Sequence, residues 1–440
     1  MKNRWILIIT ISISITGVIL FYMVINSDKE PYKVKEVGEY TELTFMRNLG
    51  NEAENRAYEM LISAFEEAHP DIKIHMEAVE YNDYEIRLRT EFATGNPPDI
   101  LTIDSPTLAL YVNAGSLLPL DKYMNEDGDI NDFPKSIMNG LSYNGELYLV
   151  PIVESSIALF YNMHIFREAG IPFPSKDPDD PLTWEEILDI AIQVKNSNND
   201  LYGIDPAQGF SDGESPAYFK MPILWQFGAD ILSPNGTTAS GYLDSKEAIT
   251  ALQFYQDLYN KYEVAAVELP AHSFETGQLA MTVLGSWILS DLANNQPDFK
   301  LGRDYGIAPL PKGKYQVTPN GGWALGISSE TNYPDEAWQF IKFMTSFESA
   351  KTYVEVTGDL PARYSVVENF PELNEYPKNI FIHQFQNNSK SRPVTPVYPV
   401  ISDNIKKLFE NVGIGNRDVV DSVKEAVENI NTSISLYQKP

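Results

Sequence analysis

From Thr41 to Met46 polar and apolar residues alternate, with Leu43 and Phe45 on one face, the period of a half-buried strand. A polar turn follows, Arg47-Asn48-Leu49-Gly50-Asn51, and Asn51 is placed to cap a helix with Glu52 and Glu54 in its first turn. Ala53, Ala57, Leu61 and Phe65 then recur with Tyr58 and Ile62 beside them, an amphipathic helix that His69-Pro70 ends. Ile72, Ile74, Met76 and Ala78 alternate as a second strand. A helix is expected over 83–94, a break at Gly95-Asn96-Pro97-Pro98, and a buried third strand from Asp99 to Ile103. This βαβαβ order predicts a parallel sheet wrapped by helices. Such sheets take ligands beyond the C-terminal ends of their strands, which singles out the loops Arg47–Glu52 and Asp104–Pro106.

Helical patterns return at 183–195, 216–227, 244–262, 334–348 and 402–412, and short apolar strands at 147–153, 157–161, 279–284 and 324–328. The stripe Ala337, Phe340, Ile341, Met344 and Phe347 reads as core. There is no internal repeat and no low-complexity tract. A chain of 440 residues is too long for one core and implies two or three lobes at about 150 residues each.

Composition narrows the function. The net charge is −28, and no stretch forms a basic patch, which argues against nucleic acid as a partner. The absence of cysteine removes disulfides, thiolate metal sites, thiol nucleophiles and a lipid-modified cysteine anchor together. The five histidines show no metal-ligand spacing, so neither metal nor cofactor is expected. Trp5 to Ile25 is an uncharged run preceded by Lys2 and Arg4, long enough to cross a bilayer as a helix. No small-x-small cleavage site closes it, which favours an uncleaved signal-anchor over a signal peptide. Either way the body lies outside the cytoplasm, and residues 28–40 read as a polar stalk.

Several motifs, in order, carry a resemblance: AFEEAHPDIKI (64–74), TGNPPDILTID (94–104), YNGELYLVPIVESSIALFYN (143–162), PLTWEEI (181–187), FETGQLAMTVLGSW (274–287), GIAPLPKG (306–313), GGWALGIS (321–328) and DEAWQFIKFMTS (335–346). Over about residues 41–430 the chain resembles the family 1 extracellular solute-binding proteins of ATP-binding-cassette importers, the relatives of maltose-binding protein. The resemblance implies a monomeric two-lobe α/β clamshell of the type II periplasmic-binding class, preceded here by the N-terminal helix. The domains expected are a signal-anchor over 1–27, a linker over 28–40, one lobe of 41–153 with 308–356, and a second of 154–307 with 357–440. The chain crosses between lobes near Val153, Ala308 and Val356. It also implies a carbohydrate ligand, handed to the membrane permease of the importer, and no catalysis.

Sugars offer hydroxyls at their edges and C–H groups on their faces, so a site needs aromatic platforms and polar rims. Trp287, just after a strand and a glycine, matches the family's stacking aromatic; a core tryptophan is the alternative. Trp323 follows two glycines, and Gly322 lets the backbone approach a ligand closely. Asp104 and Ser105 match positions that bond sugar hydroxyls, with helix capping as the alternative. Glu154 matches a contact glutamate after the first crossing. Glu214 and Tyr218, in GESPAYFKMPILWQFGAD (213–230), match a Glu and a Tyr from the second lobe, and Trp225 reads as core. Tyr398 falls where the maltose-binding relative places another aromatic, and Arg363, in GDLPAR (358–363), is a further candidate. Asn48, Asn51 and Glu52 come from the first loop. Only Arg47 and Arg363 bring positive charge near this cleft, which favours a neutral sugar over a sugar phosphate. The competing functions are a glycosidase using two of these carboxylates, a signalling or adhesion module, and a receptor for a cation such as a polyamine.

Overall fold

The computed structural model of the chain describes residues 40–206 and 213–438. Strand β1 (Thr41–Asn48) runs past the expected alternation, because Arg47 and Asn48 at its end are buried as well. In helix α1 (Glu52–Ala68) the Asn51 side chain accepts from the Glu54 N–H at 2.9 Å, and Ala53, Ala57, Tyr58, Leu61 and Phe65 face inward. Strand β2 (Ile72–Val79), helix α2 (Tyr81–Thr94) and strand β3 (Ile100–Asp104) follow. Gly95 ends α2 in the left-handed conformation, at φ 73°. β1 lies parallel to both neighbours, with Thr41 opposite Ile72 and Phe45 opposite Ile100.

The chain then leaves this sheet. The strand expected over 147–153 is broken into short pieces, among them β4 (Val150–Pro151) and β5 (Val153–Glu154), which pair with different partners. Beyond them come β6 (Ile157–Asn162), α3 (Trp184–Ser197) with a Thr183–Glu186 capping box, β7 (Tyr202–Asp205), α4 (Ser215–Phe227) and α5 (Lys246–Asn260). β8 (Leu279–Gly285), α6 (Ile288–Asn295) and β9 (Tyr305–Ala308) complete this half. A second sheet forms in the order β9-β6-β8-β7, with β6 antiparallel to β8 and β9, and β7 parallel to β8. β7 and β9 are four-residue strands, too short for a period to show in the sequence.

The return passes through β10 (Thr318–Pro319) to β11 (Trp323–Ile327), which joins the first sheet in the order β2-β1-β3-β11-β4. β11 is antiparallel to β3, with Trp323 opposite Asp104. The helix expected over 334–348 is two helices: α7 (Pro334–Met344) ends, and Ser346 caps α8 (Phe347–Thr357). β12 (Leu360–Pro361), α9 (Lys378–Asn388), β13 (Ser389–Lys390), α10 (Tyr398–Val412) and α11 (Val419–Tyr437) follow. Three passages between the sheets lie side by side. β12 pairs with β5, placing Leu360 opposite Glu154, and Ser155 bridges Gly321.

Each sheet has its own buried core. Phe45, Phe65, Leu325 and Phe340 belong to the first, while Leu159, Ile204, Met281 and Tyr398 belong to the second. Burying one such aromatic or aliphatic side chain contributes about 1.5–3 kcal/mol. Among the described residues no helix is long and apolar enough to cross a membrane. The span expected at Trp5–Ile25 lies outside the described residues.

Candidate ligand-binding cavity

The loops at the ends of the two sheets enclose a cavity of about 490 Å³. Asn48 and Asp104 enter it from the ends of β1 and β3, and Trp323 from the start of β11. The register that sets Trp323 opposite Asp104 brings an indole and a carboxylate to one rim. Trp323 stands edge-on to Tyr84 at 5.5 Å and Tyr81 at 6.3 Å between ring centroids.

Trp287 supplies the facing wall from the other sheet. It follows β8, and its indole folds back over Gly285, where any Cβ would overlap the six-membered ring. The glycine is thus what lets the ring lie across the strand end. Tyr218 and Phe219 of α4 support it, with ring centroids 6.0 and 6.1 Å away. Gly322 is required by a close approach: a Cβ there would lie 2.0 Å from the Val153 carbonyl oxygen.

Nine of the expected residues line the cavity: Asn48, Asn51, Asp104, Glu154, Glu214, Tyr218, Trp287, Gly322 and Trp323. Asn51 does so while also capping α1, and its amide donates to Ser290 Oγ of α6 at 3.4 Å. Four do not, and each is corrected by its surroundings. Glu52 is exposed at the first turn of α1, and Glu54 reaches the cavity instead. Ser105 opens a 3-10 turn beside it. Arg363 is buried elsewhere, bound to Asp132 at 2.8 Å, to Asp129 at 3.3 Å and to the Thr345 carbonyl, with its guanidinium 4.5 Å above the Phe133 ring. Tyr398 is fully buried behind the wall and donates its hydroxyl to Glu214, so it positions that carboxylate.

The sequence reading missed the cation that organises the rim. Arg392, between β13 and α10, has a side chain only 2% exposed. It binds Asp104 in a two-pronged pair at 2.7 and 2.9 Å and Glu214 at 2.7 Å, so one guanidinium joins the end of β3 to the start of α4. Ser402 also donates to Glu214 at 2.6 Å. Burial pushes the Glu214 carboxyl up, against the opposing pull of Arg392. Arg47, the other cation expected nearby, sits behind the cavity with its guanidinium 4.0 Å from the Tyr58 ring and 3.4 Å from Glu54.

Among the described residues six carboxylates line the cavity against one lining cation, Arg392: Glu54, Asp104, Glu154, Glu214, Asp291 and Asp359. Glu154 is 4% exposed and accepts from the Gly321 N–H at 3.2 Å. Burial pushes it up to about 8, so at neutral pH it is mostly protonated and able to donate. Burial, with Glu54 and Asp291 adding repulsion, pushes Asp359 up to about 7. Asp359 reaches the cavity because β12 is paired to β5 beside Glu154. An acidic, aromatic-walled, half-open space of this kind accepts hydroxyl or ammonium donors and repels phosphate. Among the described residues no group of carboxylates and histidines could hold a metal ion.

Two sheets with ligand-sized space between their ends, joined by three adjacent passages, define an α/β binding protein of the periplasmic type II class. Residues 50–351 match the model of the bacterial extracellular solute-binding protein family, and the chain belongs to that family. A binding protein of Brucella abortus is 24% identical over 384 residues, covering 84% of this chain and 87% of its own. The maltotriose-binding protein of Pyrococcus abyssi is 26% identical over 334 residues, covering 74% of this chain and 67% of its own. A crystal structure of a Thermotoga lettingae transporter solute-binding protein bound with alpha-D-tagatose superposes with a TM-score of 0.78, at 26% identity, over 90% of this chain and all of that one.

Proposed function

We propose that the protein is the extracellular substrate-binding component of an ATP-binding-cassette importer and that it captures a carbohydrate for the permease. The observation that carries this reading is the cavity. Indoles of Trp287 and Trp323 come from opposite sheets, and carboxylates and amides fill the rim between them. Flat ring faces meet sugar C–H faces, and carboxylates meet hydroxyls. The maltotriose and tagatose ligands of the relatives point to the same chemistry. The lobes of the clamshell are 41–153 with 308–356 and 154–307 with 357–440. Closure about the adjacent passages, a known motion of such proteins, would bring Trp287 and Trp323 onto the two sides of a ring. The uncharged run Trp5–Ile25 behind Lys2 and Arg4 supports a tether to the outer face of the membrane.

Hydrolysis is disfavoured by the same hydrogen bonds. Both Asp104 oxygens are held by Arg392, and Glu214 is held by Arg392, Tyr398 and Ser402, so these two carboxylates are engaged in holding the rim together. The test is a thermal-shift screen of the chain against mono- and oligosaccharides. A ligand at a hundred times its Kd adds about 2.7 kcal/mol of stability. Trp287→Ala is expected to abolish the shift while the protein still melts cooperatively. A full shift in that variant removes Trp287 from the site, and steady release of sugar product rejects the receptor reading.

A further inference from the structure

The two ends of the cavity differ in charge balance. At one end Asp104 and Glu214 share Arg392. At the other Glu54, Asp291 and Asp359 converge closely enough to repel one another. Of these three, only Glu54 has a cation in contact among the described residues, Arg47 at 3.4 Å. Among the described residues Asp291 makes neither a hydrogen bond nor an ion pair, although burial pushes its carboxyl up. Asp359 is 8% exposed, has the Thr357 hydroxyl beside it, and forms no ion pair, Lys378 acting on it only at longer range. The Tyr353 side chain is 1% exposed and lines this end, its ring packed edge-on against Tyr58 at 5.9 Å, and its hydroxyl has no hydrogen-bond partner among the described residues. Trp287, the N-cap of the helix that carries Asp291, also lines the cavity. Desolvated carboxylates without a counter-charge are costly, and a neutral polyol leaves that charge uncompensated.

We propose that the ligand carries a protonated amine, as a 2-amino sugar does, and that the amine lodges among Glu54, Asp291 and Asp359, beside Tyr353 and Trp287. The amine donates to the two unpaired carboxylates and to the Tyr353 oxygen, and the indole adds a cation–π contact. The saccharide body lies between the two tryptophans towards Asp104 and Asn82, which also line the cavity. This proposal rests on the carbohydrate reading for the body of the ligand and on the unpaired carboxylates for its charge. Since Asp359 stands at about 7, amine binding at pH 7 also expels a proton from it.

The test is calorimetric titration of the full chain at pH 7 with hexoses and hexose dimers, each in three matched forms: hydroxyl, N-acetyl and free amine. Spermidine is titrated alongside. The expected result is that a free-amine form binds about tenfold or more tightly than its hydroxyl counterpart, a gain of about 1.4 kcal/mol. Its heat should depend on the buffer as proton release requires. Asp359→Asn and Asp291→Asn, each close in shape to the native side chain, should erase the preference, bringing the amine-to-hydroxyl affinity ratio to within a few-fold of one. Should the hydroxyl or N-acetyl forms bind as well as the amine, or should neither an amine form nor spermidine bind, the proposal is overturned while the carbohydrate reading stands on any sugar that binds. Should spermidine bind and no saccharide do so, the amine site stands and the carbohydrate reading falls.

Discussion

Replacing Arg392 by glutamine isolates the ion pair that ties the end of β3 to the start of α4 at the cavity rim. The guanidinium is 2% exposed, meets both oxygens of Asp104 at 2.7 and 2.9 Å, and meets Glu214 at 2.7 Å. Glutamine keeps part of the packing but removes the charge, leaving Asp104 and Glu214 as neighbouring, partly buried carboxylates. Breaking a buried pair from one side costs on the order of 3–5 kcal/mol, because the remaining charge is uncompensated. At roughly 2 °C per kcal/mol for a large domain, Arg392→Gln lowers Tm by roughly 6–10 °C at pH 8. The pH dependence identifies the cause. Burial already raises the Glu214 carboxyl and Arg392 opposes it, so without the cation the folded variant holds a proton there that the unfolded chain has lost. The deficit is therefore smallest near pH 5 and grows as pH rises. Thermal and urea melts of both proteins at pH 5, 6.5 and 8 measure it. A deficit below about 1 kcal/mol, or one equal at pH 5 and pH 8, refutes an electrostatic role for Arg392 and assigns it packing alone.

Two further substitutions probe other parts of the site. Burial raises Glu154 from 4.5 to about 8, so its stabilising contribution is present below pH 4.5 and lost as pH climbs through about 8, on the order of 3–5 kcal/mol. Glu154→Gln cannot titrate, and its Tm should fall less between pH 5 and 8.5 than that of the native protein; parallel curves would place the titration elsewhere. Arg363→Ala leaves Asp132 without its buried partner and should cost on the order of 3–5 kcal/mol in a urea melt. It should leave the Kd for any saccharide ligand within about twofold, and a tenfold loss of affinity would return Arg363 to the site.

Much of the first sheet was legible because its signals are local. The alternation of Leu43 and Phe45, the Asn51 cap and the spacing from Ala53 to Phe65 are each satisfied within one element. The loops after β1 and β3 follow from the sheet's topology, and both deliver residues to the cavity. Trp287 was legible for a local reason too, since Gly285 two residues earlier clears the space its ring occupies. Arg363 was misplaced because GDLPAR shows only that a cation stands near a passage between the sheets, and not which way it turns. Tyr398 was close to the site in the chain but is held one layer behind it by Glu214.

By itself the sequence determined the strands and helices of the first βαβαβ stretch, the apolar face of its first helix, and the Asn51 cap and Gly95 break, because those depend on neighbours within a few residues. The folded chain alone decided the chemistry of the cavity. Arg392 and Asp104 are separated by 288 positions, and nothing in the period around either one names the other. Asp359 faces the cavity only because β12 pairs with β5, and Tyr353 only because α8 packs on α1. Periodicity reports that a side chain is buried; which charges share a desolvated space, and therefore what ligand would balance them, is settled when distant segments meet.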